Sequence, residues 1–164
     1  MSASLTLSFT NDESGLEMQF TPGDGQTCDA VARIRQGRLD LTFSFLCFGY
    51  DLAEFARELE LLHARYEGTA SFVNQAGNVR LGCSLVHPAR GIIGVVVALE
   101  HWQAWPADFP PLPQVTELRS MMFHGFTIEQ SYVPQVVARI QRFLVATGIS
   151  TVHPMIADAG PMQR

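Results

Sequence analysis

Residues 39–62 read LDLTFSFLCFGYDLAEFARELELL, and within them the hydrophobic period changes once. Leu39, Leu41, Phe43, Phe45 and Cys47 alternate with Asp40, Thr42 and Ser44, the two-residue repeat of a strand with one buried face. From Asp51 onward the apolar positions are Leu52, Phe55, Leu59, Leu62 and Tyr66, spaced as on one side of an α-helix. Asp51 stands three residues before Glu54, the spacing of a capping box, which predicts the helix start at Asp51 and its end near Gly68.

On the N-terminal side, Leu5, Leu7 and Phe9 alternate with polar residues, and NDESG (11–15) reads as a hairpin turn. Leu16, Met18 and Phe20 resume the pattern until TPGDGQT (21–27) breaks it, a third strand is expected over 28–35, and Gln36-Gly37 supplies the next turn. On the C-terminal side, strands are expected near 69–74, 78–86, 91–101 and 115–129. The run Ile92 to Leu99 is apolar at both parities, which fits either a central strand covered on both sides or a tight interface, the second of which would make a homodimer.

The stretch FTIEQSYVPQVVARIQRFL (126–144) supplies a second helix, with Val133, Val136, Val137, Ile140, Phe143 and Leu144 as its apolar stripe. Pro134 falls in its first turn, Ser131 is the expected cap and Gly148 the stop. Each helix follows an aromatic strand and a tyrosine, Tyr50 or Tyr132, which suggests a degenerate internal duplication. The order strands, helix, strands, helix predicts an α+β fold: one twisted antiparallel sheet of seven to eight strands with two helices packed on one face. Residues 1–148 form the single domain, and 149–164 a C-terminal extension, loose or docked.

Composition restricts the function classes. With 47% hydrophobic and 16% charged residues, burial can offset chain entropy. The formal charge of −5 and the lack of a basic cluster argue against a nucleic-acid partner. All 11 cations are arginine, which removes Schiff-base, P-loop and kinase-type lysines together. Cys28, Cys47 and Cys83 have no CxxC spacing and read as reduced thiols packed as small hydrophobes, with a cytoplasmic location as the default. The start MSASLTLSFT lacks the features of a signal peptide, and IIGVVVAL (92–99) is too short to cross a bilayer, so no membrane partner is expected.

No catalytic constellation emerges. His63, His87, His101, His124 and His153 lack metal-ligand spacing, GCSLV around Cys83 lacks the second glycine of a nucleophile elbow, and no helix follows TPGDGQT. Glu54, Glu58 and Glu60 read as a solvated helix face. The expectation is a chain without cofactor or metal. The segment HWQAWPADFPPLP (101–113) carries Trp102, Trp105 and Phe109 on a proline-stiffened backbone, the make-up of partner-binding anchors. A second reading is a small-ligand-binding domain or an unrecognised enzyme, with a pocket near Trp102, Arg119, His124 and Tyr132.

Three stretches, FGYDLAEFARELELLHARYEGTASFVNQAGNVRLGCSLV (48–86), GIIGVVVALEH (91–101) and the second-helix segment 126–144, carry a further expectation. Together they resemble small bacterial domains of the WapI-type immunity family and its uncharacterised relatives, over roughly positions 39 to 145. The resemblance lies in the hydrophobic pattern and in a helix that reads like DLxxFxxEL; it carries over no binding residue. It implies an intracellular protein that binds and neutralises a toxin without catalysing a reaction.

Overall fold

Short turns and two-residue alternation build the first half as a meander: β1 (Leu5–Thr10), β2 (Ser14–Pro22), β3 (Thr27–Gln36) and β4 (Leu39–Phe48), paired antiparallel in sequence order. The computed structural model describes residues 3–11, 14–104 and 117–152, with the backbone alone at 39, 100–104 and 117–124. In the ladders Leu7 faces Met18, Met18 faces Ala32 and Ala32 faces Phe43, so one row of apolar side chains crosses the whole sheet on its inner face. Helix α1 (Gly49–Arg65) follows, then a second meander of β5 (Thr69–Val73), β6 (Val79–His87), β7 (Ile92–Ala104) and β8 (Glu117–Glu129), and helix α2 (Val133–Thr147).

Among the described residues the eight strands thus form two four-stranded antiparallel sheets, not the single sheet expected from sequence. Short turns link consecutive strands within β1–β4 and within β5–β7, and β8 pairs with β7, but α1 separates β4 from β5 and lies along the edge that β5 leaves open. The helices do not share one sheet face either. They pack on each other, α1 also along β5 and α2 along β1.

Both sheets and both helices contribute to one core. At its centre Phe72 of β5 meets Phe20, Phe45 and Phe55 edge-on, at ring-centroid distances of 6.3, 6.1 and 6.0 Å. Such pairs add about 0.5–1.5 kcal/mol each beyond the area they bury. Phe72 thereby ties the second sheet to the first and to α1.

Each half runs through four antiparallel strands and then a helix. Aligning the helices on their buried stripes pairs Leu52 with Val133, Phe55 with Val136, Ala56 with Val137, Leu59 with Ile140 and Leu62 with Phe143, all ten buried. The same repetition appears at the seams between sheets. Asn74, just after β5, is buried; its Nδ2 donates to the Leu46 carbonyl of β4 at 3.1 Å, while its Oδ1 accepts from the Val79 N–H at 2.9 Å. Asn11, just after β1, donates to the Thr127 carbonyl of β8 at 3.3 Å and accepts from the Ser14 N–H at 2.7 Å.

Local details differ from the sequence reading in three places. Helix α1 starts at Gly49, and Asp51 sits in its first turn, accepting the Phe48 N–H at 2.9 Å; the glycine and tyrosine before it tolerate helical geometry, so the start moves back two residues. A 3-10 turn, Gln130–Tyr132, leads into α2 in place of a Ser131 side-chain cap, while Pro134 and the left-handed Gly148 (φ 64°) bracket the helix as expected. Among the described side chains of β7, Ile93, Val95, Val97 and Leu99 are buried, while Val96 is 51% exposed and Ile92 and Ala98 are half-buried, so the second face of this strand is not fully covered there. No described helix is long and apolar enough to cross a membrane.

Candidate functional site

Each helix and the edge strand beside it leave a groove, and the same order of elements in each half makes the two comparable. The first, about 740 Å³, lies between the start of α1 and β5; Tyr50, Asp51, Glu54, Arg57 and Glu58 form one wall and Ser71 and Val73 the other. The second, about 400 Å³, lies between the start of α2 and β1; Ser131, Tyr132, Gln135 and Arg139 face Ser8 and Thr10. The helix alignment that matches the buried stripes sets Asp51 against Tyr132, Glu54 against Gln135 and Glu58 against Arg139.

The edge strands are handled by these matched residues with opposite charge. The Glu58 carboxylate accepts the Ser71 N–H at 2.7 Å and the Ser71 hydroxyl at 3.2 Å, occupying the outward side of β5. Arg139 instead donates to the Thr6 carbonyl of β1 at 3.5 Å. An edge strand offers donors and acceptors alternately, so either sign of side chain can cover it. The fold therefore does not dictate the charge of the groove.

The first groove has an acidic wall, Asp51, Glu54 and Glu58 against Arg57. Arg57 Nε donates to Glu54 Oε2 at 2.9 Å, and the guanidinium holds the Glu54 carboxyl below the usual carboxylate range. Burial and the neighbouring Asp51 charge raise the Tyr50 phenol.

Its lip is apolar. Leu46 of β4 is 58% exposed and Val73 of β5 is 44% exposed, and the Asn74 to Leu46 hydrogen bond brings the two strand ends together. Phe48 stacks on Tyr50 with centroids 5.2 Å apart, and Val31, on the same outer face of the sheet, is also exposed. At the other seam the residues matching Leu46 and Val73 are Thr127 and Thr10. One seam is greasy and its duplicate is polar.

The chain after α2 completes the first groove. Ile149 is buried beside Gly49, and Thr151 and Val152 line the cavity. A Cβ on Gly49 would collide with Ile149 Cγ2 and stand 2.6 Å from the Ser150 carbonyl oxygen. Gly49→Ala is therefore expected to cost about 1–3 kcal/mol and to lift residues 149–152 off the groove. Thermal melting would show the loss, and faster amide exchange confined to 149–152 would show the release; unchanged exchange there contradicts the contact.

No family model, curated protein or solved structure matches this chain. The groove geometry has to stand by itself. Among the described residues no three His, Cys, Asp or Glu side chains converge as metal ligands would.

The residues singled out from sequence scatter over the fold. Trp102 and Arg119 face each other in the β7–β8 ladder, beyond the last β6 pair at Val79 and Leu99, on a two-stranded ribbon that leaves the sheet. His124 lies further along β8 opposite Val97. Tyr132, 38% exposed, stands past the far end of β8, about 30 Å along the strand from Arg119, and lines the second groove. Trp105 and Phe109 lie outside the described residues. Sequence reading passed over Leu46, Val73 and Asn74. A signal existed: in LDLTFSFLCF the outward positions run Asp40, Thr42, Ser44 and then Leu46 and Phe48, where the polar half of the alternation stops.

Proposed function

We propose that this protein is a non-catalytic intracellular interaction protein of the immunity type, which binds and neutralises a toxin through the groove between α1 and β5. What carries the reading is the contrast between the duplicated grooves. Where one groove and its seam have Thr10, Thr127, Gln135 and Arg139, the other has Val73, Leu46, Glu54 and Glu58 at the matched positions. Apolar lip residues that the fold does not require are the usual material of a partner surface. Carboxylates behind them favour a partner with basic residues, as on the active cleft of a nuclease, and speed the encounter by steering. The resemblance to WapI-type immunity domains points the same way.

The test is inhibition. Added to a toxin domain encoded beside its gene, the protein is expected to abolish the toxin's activity, and a Leu46→Asp/Val73→Asp variant is expected to weaken that inhibition at least tenfold. These side chains are exposed, so the variant should melt like the parent within a few degrees. Full activity of every such toxin in the presence of the protein defeats the proposal.

A second reading is a small-ligand site in the same groove, whose 740 Å³ falls within the usual range of ligand pockets. Self-association through the outer face of the second sheet, where Val86 and Val96 are exposed, is a further proposal about assembly. Light scattering that reports a monomer at high concentration removes it.

A further inference from the structure

Cys28 and Cys47 occupy facing positions in the β3–β4 ladder, one residue in from its last pair, Thr27 and Phe48. Both are buried free thiols that face each other across the ladder. We propose that the two are a redox site: hydrogen peroxide, or a related small hydroperoxide, converts them into a reversible cross-strand disulfide at the base of α1. The site lies outside the groove and stands or falls independently of the toxin-binding reading.

The backbone permits the bond. Gly49 donates to the Gln26 carbonyl at 3.1 Å, and ladder alternation makes Cys28 and Cys47 the next hydrogen-bonded pair, with Cα atoms roughly 5.5 Å apart. Disulfides span about 4.4–6.8 Å between Cα atoms, so no strand has to shift register. Facing Cβ atoms in a ladder are about 4.5–5.5 Å apart, whereas a bridge prefers about 3.8 Å. Closing that difference strains the bond, which makes it readily reduced, as a reversible site requires.

Packing alone does not call for thiols here. The position matching Cys47 in the second repeat is Ile128, which faces Ile93. Access comes from the ladder end: the turn 24–26 is exposed, and opening the Gly49 to Gln26 bond frays the strands next to the pair. The neighbouring Cys47 side chain makes Cys28 the easier thiol to ionise, while Cys28 and burial make Cys47 the harder. Cys83, pushed up to about 12 by burial alone, has no such partner in its ladder, where it faces Ala70 and Val95.

The chemistry balances without a cofactor. The Cys28 thiolate attacks one peroxide oxygen and breaks the O–O bond, giving a sulfenic acid; the departing hydroxide takes up a proton and leaves as water. The Cys47 sulfur then attacks the Cys28 sulfur and expels the sulfenic oxygen, which leaves as a second water with the Cys47 proton. Two thiols and one peroxide become one disulfide and two waters.

The folded protein is treated with dilute hydrogen peroxide, quenched, denatured and alkylated. Trypsin puts each cysteine on its own peptide, because Arg33, Arg35 and Arg38 separate Cys28 from Cys47, and Arg57 and Arg80 separate Cys47 from Cys83. The expected product is one linked pair of peptides, 1–33 with 39–57, with Cys83 alkylated and the link undone by a mild thiol reductant. Cys28→Ala is expected to abolish the link, and Cys83→Ala to leave it. Three alkylated cysteines after treatment, a link through Cys83, sulfinic acid at Cys28, or a link that forms only in denaturant each overturns the proposal.

Discussion

Ile140→Asp is expected to leave no cooperatively folded protein at room temperature, whereas Val145→Asp, the same kind of change five residues further along α2, is expected to melt like the parent. Ile140 is fully buried and Val145 is 84% exposed. An aspartate at 140 would place a charge in the core, on the helix that packs against α1 and β1, a loss of several kcal/mol. Domains of this size have only about 5–15 kcal/mol in total. At 145 the carboxylate stays in water, and surface changes of that kind fall within about 0.5 kcal/mol. Circular dichroism melts of the two variants check both. If Ile140→Asp keeps full thermal stability, the stripe of α2 faces solvent and the shared core is wrong.

The second large effect is at the seam. Asn74→Ala would leave the Leu46 carbonyl and the Val79 N–H without their described partners, at about 1–3 kcal/mol each. The expected loss is about 2–4 kcal/mol, or roughly 10 °C in melting temperature for a chain of this length. Asn11→Ala removes the matching pair of bonds at the other seam, but Asn11 is exposed and water can replace the amide, so about 1 kcal/mol or less is expected. The ratio of the two losses is the informative quantity. Equal losses would mean that burial of Asn74 does not matter and that the first groove is not built on a rigid seam.

Much of the fold was legible because periodicity is local. The switch from Cys47 to Leu52 marked the strand-to-helix junction, and the stripes of both helices are the residues that the 3.6-residue spacing picks out. Sheet number was not legible. Whether β4 and β5 pair depends on where α1 lies, and α1 is held by Glu58 on the Ser71 N–H and by Phe55 on Phe72, contacts between segments that carry no mark of each other. The same holds for Ile92–Leu99, where alternation cannot say whether Val96 has a neighbour above it.

The candidate site was less legible than the fold. Tryptophans and prolines drew the sequence reading toward 101–113, whereas the groove consists of ordinary residues: a leucine and a valine in outward strand positions, and glutamates on a helix. Each is unremarkable alone. Their meaning comes from the second groove, whose matched positions hold threonine, glutamine and arginine. That comparison requires the seams and the helix alignment in three dimensions.

The most direct measurement is amide hydrogen exchange of the protein alone and in complex with a toxin domain encoded beside its gene. Slowed exchange at 46–58 and 71–74, with no change at 6–10 and 131–139, is the predicted result. Protection confined to 6–10 and 131–139, or none in a complex that inhibits, would contradict the assignment of the acidic groove.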